Sequence, residues 1–142
     1  MNITHRPINF EDSRGSICDI FATGAPDCVT VITTKAGAVR GNHFHQLSTQ
    51  HAYVVSGRMF VYCRKPHHTN VERYEMEAGD IVIHEAMEEH AYLASEDTVF
   101  LAFASGLRKG EDYEKDTYRV PSLIDAYAAQ SGTTLLLPDE QP

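Results

Sequence analysis

Short segments of alternating apolar residues, each closed by turn residues, fill most of this chain and limit what it can fold into. Ile17–Phe21 and Cys28–Thr33 alternate in this way, with Ala22–Asp27 as the loop between them. Ala52–Cys63 reads as a hairpin, in which Tyr53-Val54-Val55 and Met59-Phe60-Val61-Tyr62 flank Ser56-Gly57-Arg58 and Gly57 is free to take positive φ. Val71–Met76 alternates with charged residues, as a half-exposed strand would. Ala78-Gly79-Asp80 then turns the chain into Ile81-Val82-Ile83, and His90–Leu93 and the apolar run Val99–Ala104 follow. About eight to ten strands at this spacing, with no helical period until late, predict an all-β sandwich or barrel.

The one helix signal lies near the end, over Leu123–Gln130. Ser122 is placed to cap it, Asp125 follows three residues on as a capping-box partner, and Gly132 is a natural stop. Thr134–Leu137 is apolar and isolated, suited to packing back on the barrel or pairing with a second chain.

A chain of 142 residues points to one domain. Its formal net charge of −8, from 12 Lys plus Arg against 20 Asp plus Glu, argues against a nucleic-acid partner, which needs clustered cations. No apolar run reaches the length of a membrane span, and Met1–Pro7 lacks the apolar stretch of a secretory signal, so a cytoplasmic protein with no membrane partner is expected. Cys18, Cys28 and Cys63 are widely spaced with no C-x-x-C pair, which fits reduced thiols packed in a core.

Chemistry concentrates in Val39-Arg40-Gly41-Asn42-His43-Phe44-His45, followed by Gln50. Residues two apart on a strand share a face, so His43 and His45 project together while Phe44 turns the other way. Two imidazoles on one face can ligate a divalent metal or share acid–base work. The frame around them is Gly41, His43, His45, a four-residue gap, Gln50, six residues to Gly57, then Gly79, a strand and His90.

This frame, over Ile17 to Ser105, resembles the cupin superfamily, whose first motif has H-x-H, a Glu and a Gly, and whose second has a Gly before a strand and a later His. The resemblance implies a double-stranded β-helix, a jelly-roll barrel with its site in the barrel mouth. The whole of 1–142 would then be a single cupin domain, with a barrel core over about 15–106 and a C-terminal helix and tail over 107–142. It also implies a metal held by His43, His45, Gln50 and His90, a divalent transition ion such as Zn, Fe, Mn or Ni. Two departures bear on that. Gln50 stands where the family has Glu, and a neutral amide is a poorer donor to a divalent ion than a carboxylate. Glu85-Ala86-Met87 also replaces the usual P-x-G of the second motif.

Arg-Gly-x-His-x-His followed by Gln is similar to the RmlC-like branch of 3,4-ketoisomerases and 3,5-epimerases that act on dTDP-linked keto-sugars, as are Phe103–Ser105 and the acidic-aromatic run Asp112–Arg119. In that branch the histidines are implied acid–base groups and no metal is required. Moving a carbonyl along a sugar removes a proton α to the ketone and returns it at the neighbouring carbon. A histidine with a pKa of about 6.5 suits both halves of that exchange. His43 and His45 would divide the work, and Tyr92, on the same face as His90, would hydrogen-bond an enolate or donate a proton. Arg40 suits a phosphate or sugar oxygen at the strand's entrance, with Gln50 and Arg58 as further substrate contacts.

Glu85, Glu88 and Glu89 would repel a diphosphate if they faced the mouth. His84 lies six residues before His90 and could approach the metal position, whereas His5, His51, His67 and His68 are expected to be incidental. Three functions follow: an isomerase or epimerase of a nucleotide-linked keto-sugar, a metal-dependent enzyme (oxygenase or metal-assisted isomerase), or a non-catalytic sugar-binding barrel. The resemblance implies a homodimer in each case.

Overall fold

The computed structural model describes residues 1–20, 26, 28–105 and 115–132. Twelve strands and the helix Leu123–Ser131 lie among them. The strands are β1 (Asn2–His5), β2 (Phe10–Asp12), β3 (Gly15–Ile17), β4 (Cys28–Thr34), β5 (Val39–Phe44) and β6 (Thr49–Ser56). They continue with β7 (Arg58–Arg64), β8 (Glu72–Glu77), β9 (Asp80–His84), β10 (Glu89–Ala94), β11 (Thr98–Ser105) and β12 (Tyr118–Arg119). One five-stranded sheet runs β1-β9-β6-β11-β4 and the other β12-β5-β10-β7-β8, with β2 and β3 as a separate ribbon. Successive strands from β4 mostly alternate between the two sheets, which winds the chain into a double-stranded β-helix. The fold is the jelly-roll cupin barrel with a short C-terminal helix.

Period-two alternation supplies the core. Ala52 and Val54 from one sheet meet Met59, Val61 and Tyr92 from the other, joined by Met76, Val82 and Phe100, all between 0% and 4% exposed. A second cluster, Tyr62, Val71, Ala91, Leu123 and Ile124, seats the helix against the outer face of β7 and β10. The helix is capped as its sequence predicts: the Ser122 side chain accepts from the Asp125 amide, and Gly132 takes the left-handed conformation at φ 68°.

Three expectations change. Ser56-Gly57-Arg58 does not close a hairpin, because β6 pairs with β9 and β11 while β7 pairs with β8 and β10. A single residue between strands is too short for a two-residue hairpin loop. Gly57, at φ 89°, instead turns the chain from one sheet into the other. The strand expected over Ile17–Phe21 does not extend past Ile17 among the described residues: β3 ends there and Cys18–Ile20 carry no ladder, while Phe21 lies outside them. The strand count also exceeds eight to ten, because short pairings such as β2 with β3 and β12 with β5 carry almost no apolar alternation. The segment Thr134–Leu137, most of the loop over 22–27 and the run 112–114 lie outside the described residues. Among the described residues no helix is long and apolar enough to cross a membrane.

Candidate active site

His43 reaches the barrel interior because of a local distortion in β5. Gly41 sits at φ 91°, and a Cβ there would lie 2.8 Å from the His90 carbonyl oxygen, so only glycine lets β5 and β10 approach this closely. Asn42 follows at φ 56°, and the β5–β10 register shifts at His90/Ala91. The result sets His43 opposite His90, with ring centroids 4.7 Å apart in an edge-on contact. His45 lies 4.8 Å from His43 and 5.5 Å from His90. One nitrogen from each of the three rings falls within 4.8 Å of the others. Phe44 turns outward and stacks on Tyr118 at 5.2 Å, as the alternation predicts.

Each ring is held from behind. His45 Nδ1–H donates to the Asp116 carbonyl at 2.9 Å, and His90 Nδ1–H donates to the Glu88 carbonyl at 3.2 Å. That assigns the tautomer and turns Nε2 of both rings away from these clamps. The Asp116 carboxylate accepts from the amides of Gln46, Leu47 and Ser48 and from the Ser48 hydroxyl, which pins the loop after His45. These bonds outweigh the cost of burial and leave Asp116 below its ordinary pKa. Nothing in the sequence singles out Asp116 except its place in an acidic-aromatic run, 71 residues from His45.

His84 lies closer to the site than its sequence separation suggests. Its ring stacks on His90 at 4.2 Å, nearly parallel, and Gln50 is its cross-strand partner. His84 Nδ1–H donates to Glu88 Oε1 at 3.1 Å, and Cys63 Sγ donates to the same oxygen at 2.6 Å. Burial holds His84 below its ordinary value. Burial, followed by repulsion from the other imidazoles, holds His90 well below. Burial would raise the Glu88 carboxyl, but its hydrogen bonds from His84 and Cys63 prevail and lower it. A neutral imidazole backed by an ionised carboxylate follows, with Nε2 of His84 and of His90 buried and carrying no hydrogen bond among the described residues.

A cavity of about 540 Å³ opens onto this cluster, with His43, Gln50 and Tyr92 in its wall and Arg40 and Arg119 among the residues lining it. The Gln50 amide lies 3.5 Å from the Tyr92 hydroxyl. Arg40 is steadied by Thr34 Oγ1 at 2.8 Å and the Thr33 carbonyl at 2.7 Å. Arg119 pairs in register with His43, a placement that sequence spacing does not reveal.

Arg58 is a correction. It does not line the cavity and is engaged on the surface with Glu75, Glu77 and Glu96, because the corner at Gly57 carries it to another part of the barrel. The three glutamates also avoid the cavity. Glu88 turns inward, Glu89 pairs with Arg64 at 2.6 Å, and Glu85 lies with Glu88 on a second cavity.

The three-histidine group fits a divalent cation. Its donors converge, two of its rings are oriented through Nδ1, and the neutral state favoured at His90 is the ligating one. Gln50 would be the weakest member of such a set.

A family profile described as the polysaccharide biosynthesis C-terminal domain matches residues 10–96, more than half of the chain. The chain belongs to this family. No curated protein matches it by sequence. Among solved structures, this polysaccharide biosynthesis C-terminal domain is similar to the capsular polysaccharide assembling protein CapF of Staphylococcus aureus. There the identity is 24% and the TM-score 0.58, over 82% of this chain and 34% of CapF. The chain thus spans about a third of that protein's length. The QdtA 3,4-ketoisomerase of Thermoanaerobacterium thermosaccharolyticum, solved with TDP, aligns over 91% of both chains at 19% identity and a TM-score of 0.68. ChmJ, a 3'-monoepimerase from Streptomyces bikiniensis solved with dTDP-quinovose, aligns over 97% of this chain and 79% of its own at 20% identity and a TM-score of 0.73. At these identities the likenesses are of fold, and they agree with the jelly-roll barrel described above.

Proposed function

We propose that this polysaccharide biosynthesis C-terminal domain isomerises or epimerises a nucleotide-linked keto-sugar by histidine-mediated proton transfer. The observation that carries the reading is His43 in the wall of a 540 Å³ cavity, backed by neutral His90 and facing a space shared with Tyr92, Gln50 and two arginines. The ketoisomerase and monoepimerase that share this fold are recorded with TDP and dTDP-quinovose, which supports the same substrate class here.

In this reading Arg40 and Arg119 hold the diphosphate, since cations oriented by neighbouring groups bind phosphate without losing much side-chain freedom. The absence of Glu85, Glu88 and Glu89 from the cavity lining removes the objection that an acidic mouth would repel it. His43 takes the proton α to the ketone. His45 and His90 keep it in register, and Tyr92, whose hydroxyl can accept from Gln50 while donating its own hydrogen, supports the enolate oxygen. Return of the proton to the same carbon from the other face gives an epimer, and its delivery to the neighbouring carbon gives the moved ketone.

A second reading is favoured by the convergence of His43, His45 and His90 on one point: a metal-dependent enzyme in which these residues and Gln50 hold a divalent ion. Such an ion would supply Lewis-acid polarisation of the substrate carbonyl. A sugar-binding barrel without catalysis would use the same cavity.

Incubation with dTDP-4-keto-6-deoxyglucose in deuterated water, followed by proton NMR, separates these readings. Deuterium entering at C3, slowed about 100-fold or more by His43→Asn, is the expected result. Binding without exchange over several nucleotide keto-sugars would leave only the non-catalytic barrel. Exchange that disappears on chelation and returns with metal would favour the second reading.

We further propose that the chain acts as a homodimer through the outer face of the β1-β9-β6-β11-β4 sheet. Val29, Val31 and Val55 are 54%, 66% and 47% exposed there, next to partly buried Val99 and Leu101. Val99 and Leu101 belong to β11. It lies at an inner position of this sheet with both backbone edges paired, so its contribution would come from one face.

A further inference from the structure

The barrel interior holds a second convergence of donor atoms that the proposed reaction does not use. Cys63 on β7, His84 at the end of β9 and Glu88 in the turn before β10 are 1%, 1% and 4% exposed. A thiol, an imidazole nitrogen and a carboxylate oxygen from these residues all lie within 4.8 Å of one another. Glu88 Oε1 is the hub, 2.6 Å from Cys63 Sγ and 3.1 Å from His84 Nδ1.

We infer that Cys63, His84 and Glu88 form a binding site for a zinc-like divalent cation, separate from the one that His43, His45 and His90 could build. Thiolate, imidazole and carboxylate together are a borderline-soft set of the kind zinc takes, with bonds of about 2.3 Å to sulfur and about 2.0–2.2 Å to nitrogen and oxygen. The His84–Glu88 spacing is already near that of two ligands on one tetrahedral ion. The thiolate would need to retreat by less than about 1 Å to complete the third position.

Of the three residues Glu88 borders the second cavity, about 580 Å³ and also lined by Glu85 and Lys65, so a cation and a completing water would arrive on the Glu88 side. The protons balance. Cys63 gives up its S–H proton to solvent as the sulfur–metal bond forms, and the His84 proton leaves Nδ1 for Nε2. That nitrogen has no hydrogen-bond partner among the described residues, so the ion would convert it from an acceptor into a donor beside His90. The N-terminal ammonium is 3.6 Å from Glu88 Oε2 and leaves Oε1 to the cation.

The site does not depend on the isomerase reading, and its test needs no substrate. Metal-free full-length chain is titrated with cobalt(II), whose thiolate complexes show a near-ultraviolet charge-transfer band that histidine-only sites lack. The expected result is one thiolate-ligated cobalt per chain. The band should persist in His43→Ala/His45→Ala and in Cys18→Ser/Cys28→Ser, which leaves Cys63 as the sole thiol, and it should disappear in Cys63→Ser.

Cobalt bound without a thiolate band would overturn the inference and leave a hydrogen-bonded triad. A band lost in the Cys18→Ser/Cys28→Ser variant would overturn it by assigning the sulfur elsewhere, whether or not Cys63→Ser folds. A band lost in His43→Ala/His45→Ala would overturn the separateness of the two sites.

Discussion

Asp116 shows how much one buried carboxylate can organise. Its side chain satisfies three successive amides and a hydroxyl, and its carbonyl holds His45. Asp116→Ala removes the acceptor while the donors stay in place, at a cost of about 2–3 kcal/mol. Urea unfolding would show it as a lower midpoint with an unchanged slope. The buried imidazoles give stability a pH dependence of definite sign. His84 and His90 resist protonation in the folded chain, whereas the unfolded chain takes up protons below about pH 6.5. Stability of the metal-free protein should therefore fall as pH drops from about 7 to about 5. Glu88 and Asp116 act at lower pH: their depressed values stabilise the fold above the ordinary carboxylate range, and that contribution is lost on further acidification. Thermal melts across this range test the order, and a midpoint indifferent to pH between 7 and 5 would contradict it. His43 and His45 were legible as a pair because strand alternation puts them on one face, and His90 entered through the spacing of the motif the chain resembles. Asp116, Glu88 and Arg119 were not, because their roles arise from pairings across the fold that no local period encodes.

Among the elements, the corner at Gly57 carries the most consequence. Side-chain alternation in β6 and β7 predicts the two strands well but says nothing of which sheet each joins, so the same residues read equally as a hairpin. The chain changes sheets here, and a Cβ at 57 would overlap the Asp97 carbonyl. Gly57→Ala should therefore cost more than the 1–2 kcal/mol of a left-handed residue alone, about 2–4 kcal/mol, read as a lower melting temperature. Arg58 lies away from the cavity for the same reason, since its position depends on the direction of that corner. The helix, by contrast, was legible to its caps, because Ser122 and Gly132 act on neighbouring backbone and need no tertiary partner.

At the scale of the whole molecule, the apolar outer face of one sheet predicts association. Light scattering should give a mass twice the 15.9 kDa of the chain, and Val29→Asp/Val31→Asp should shift it toward the monomer. A 15.9 kDa species for the wild type would count against the dimer.

The clasp between the C-terminal segment and β5 also bears on synthesis. Val120 and Leu123 donate their amides to Asn42, and Asp116 reaches back to the loop after His45. On the ribosome, the barrel strands emerge with every histidine of the site already present. His45 acquires its hydrogen bond to the Asp116 carbonyl only when residues 116–123 follow it out of the exit tunnel. The order of synthesis thus places the clamp on His45 after every histidine of the cluster it serves.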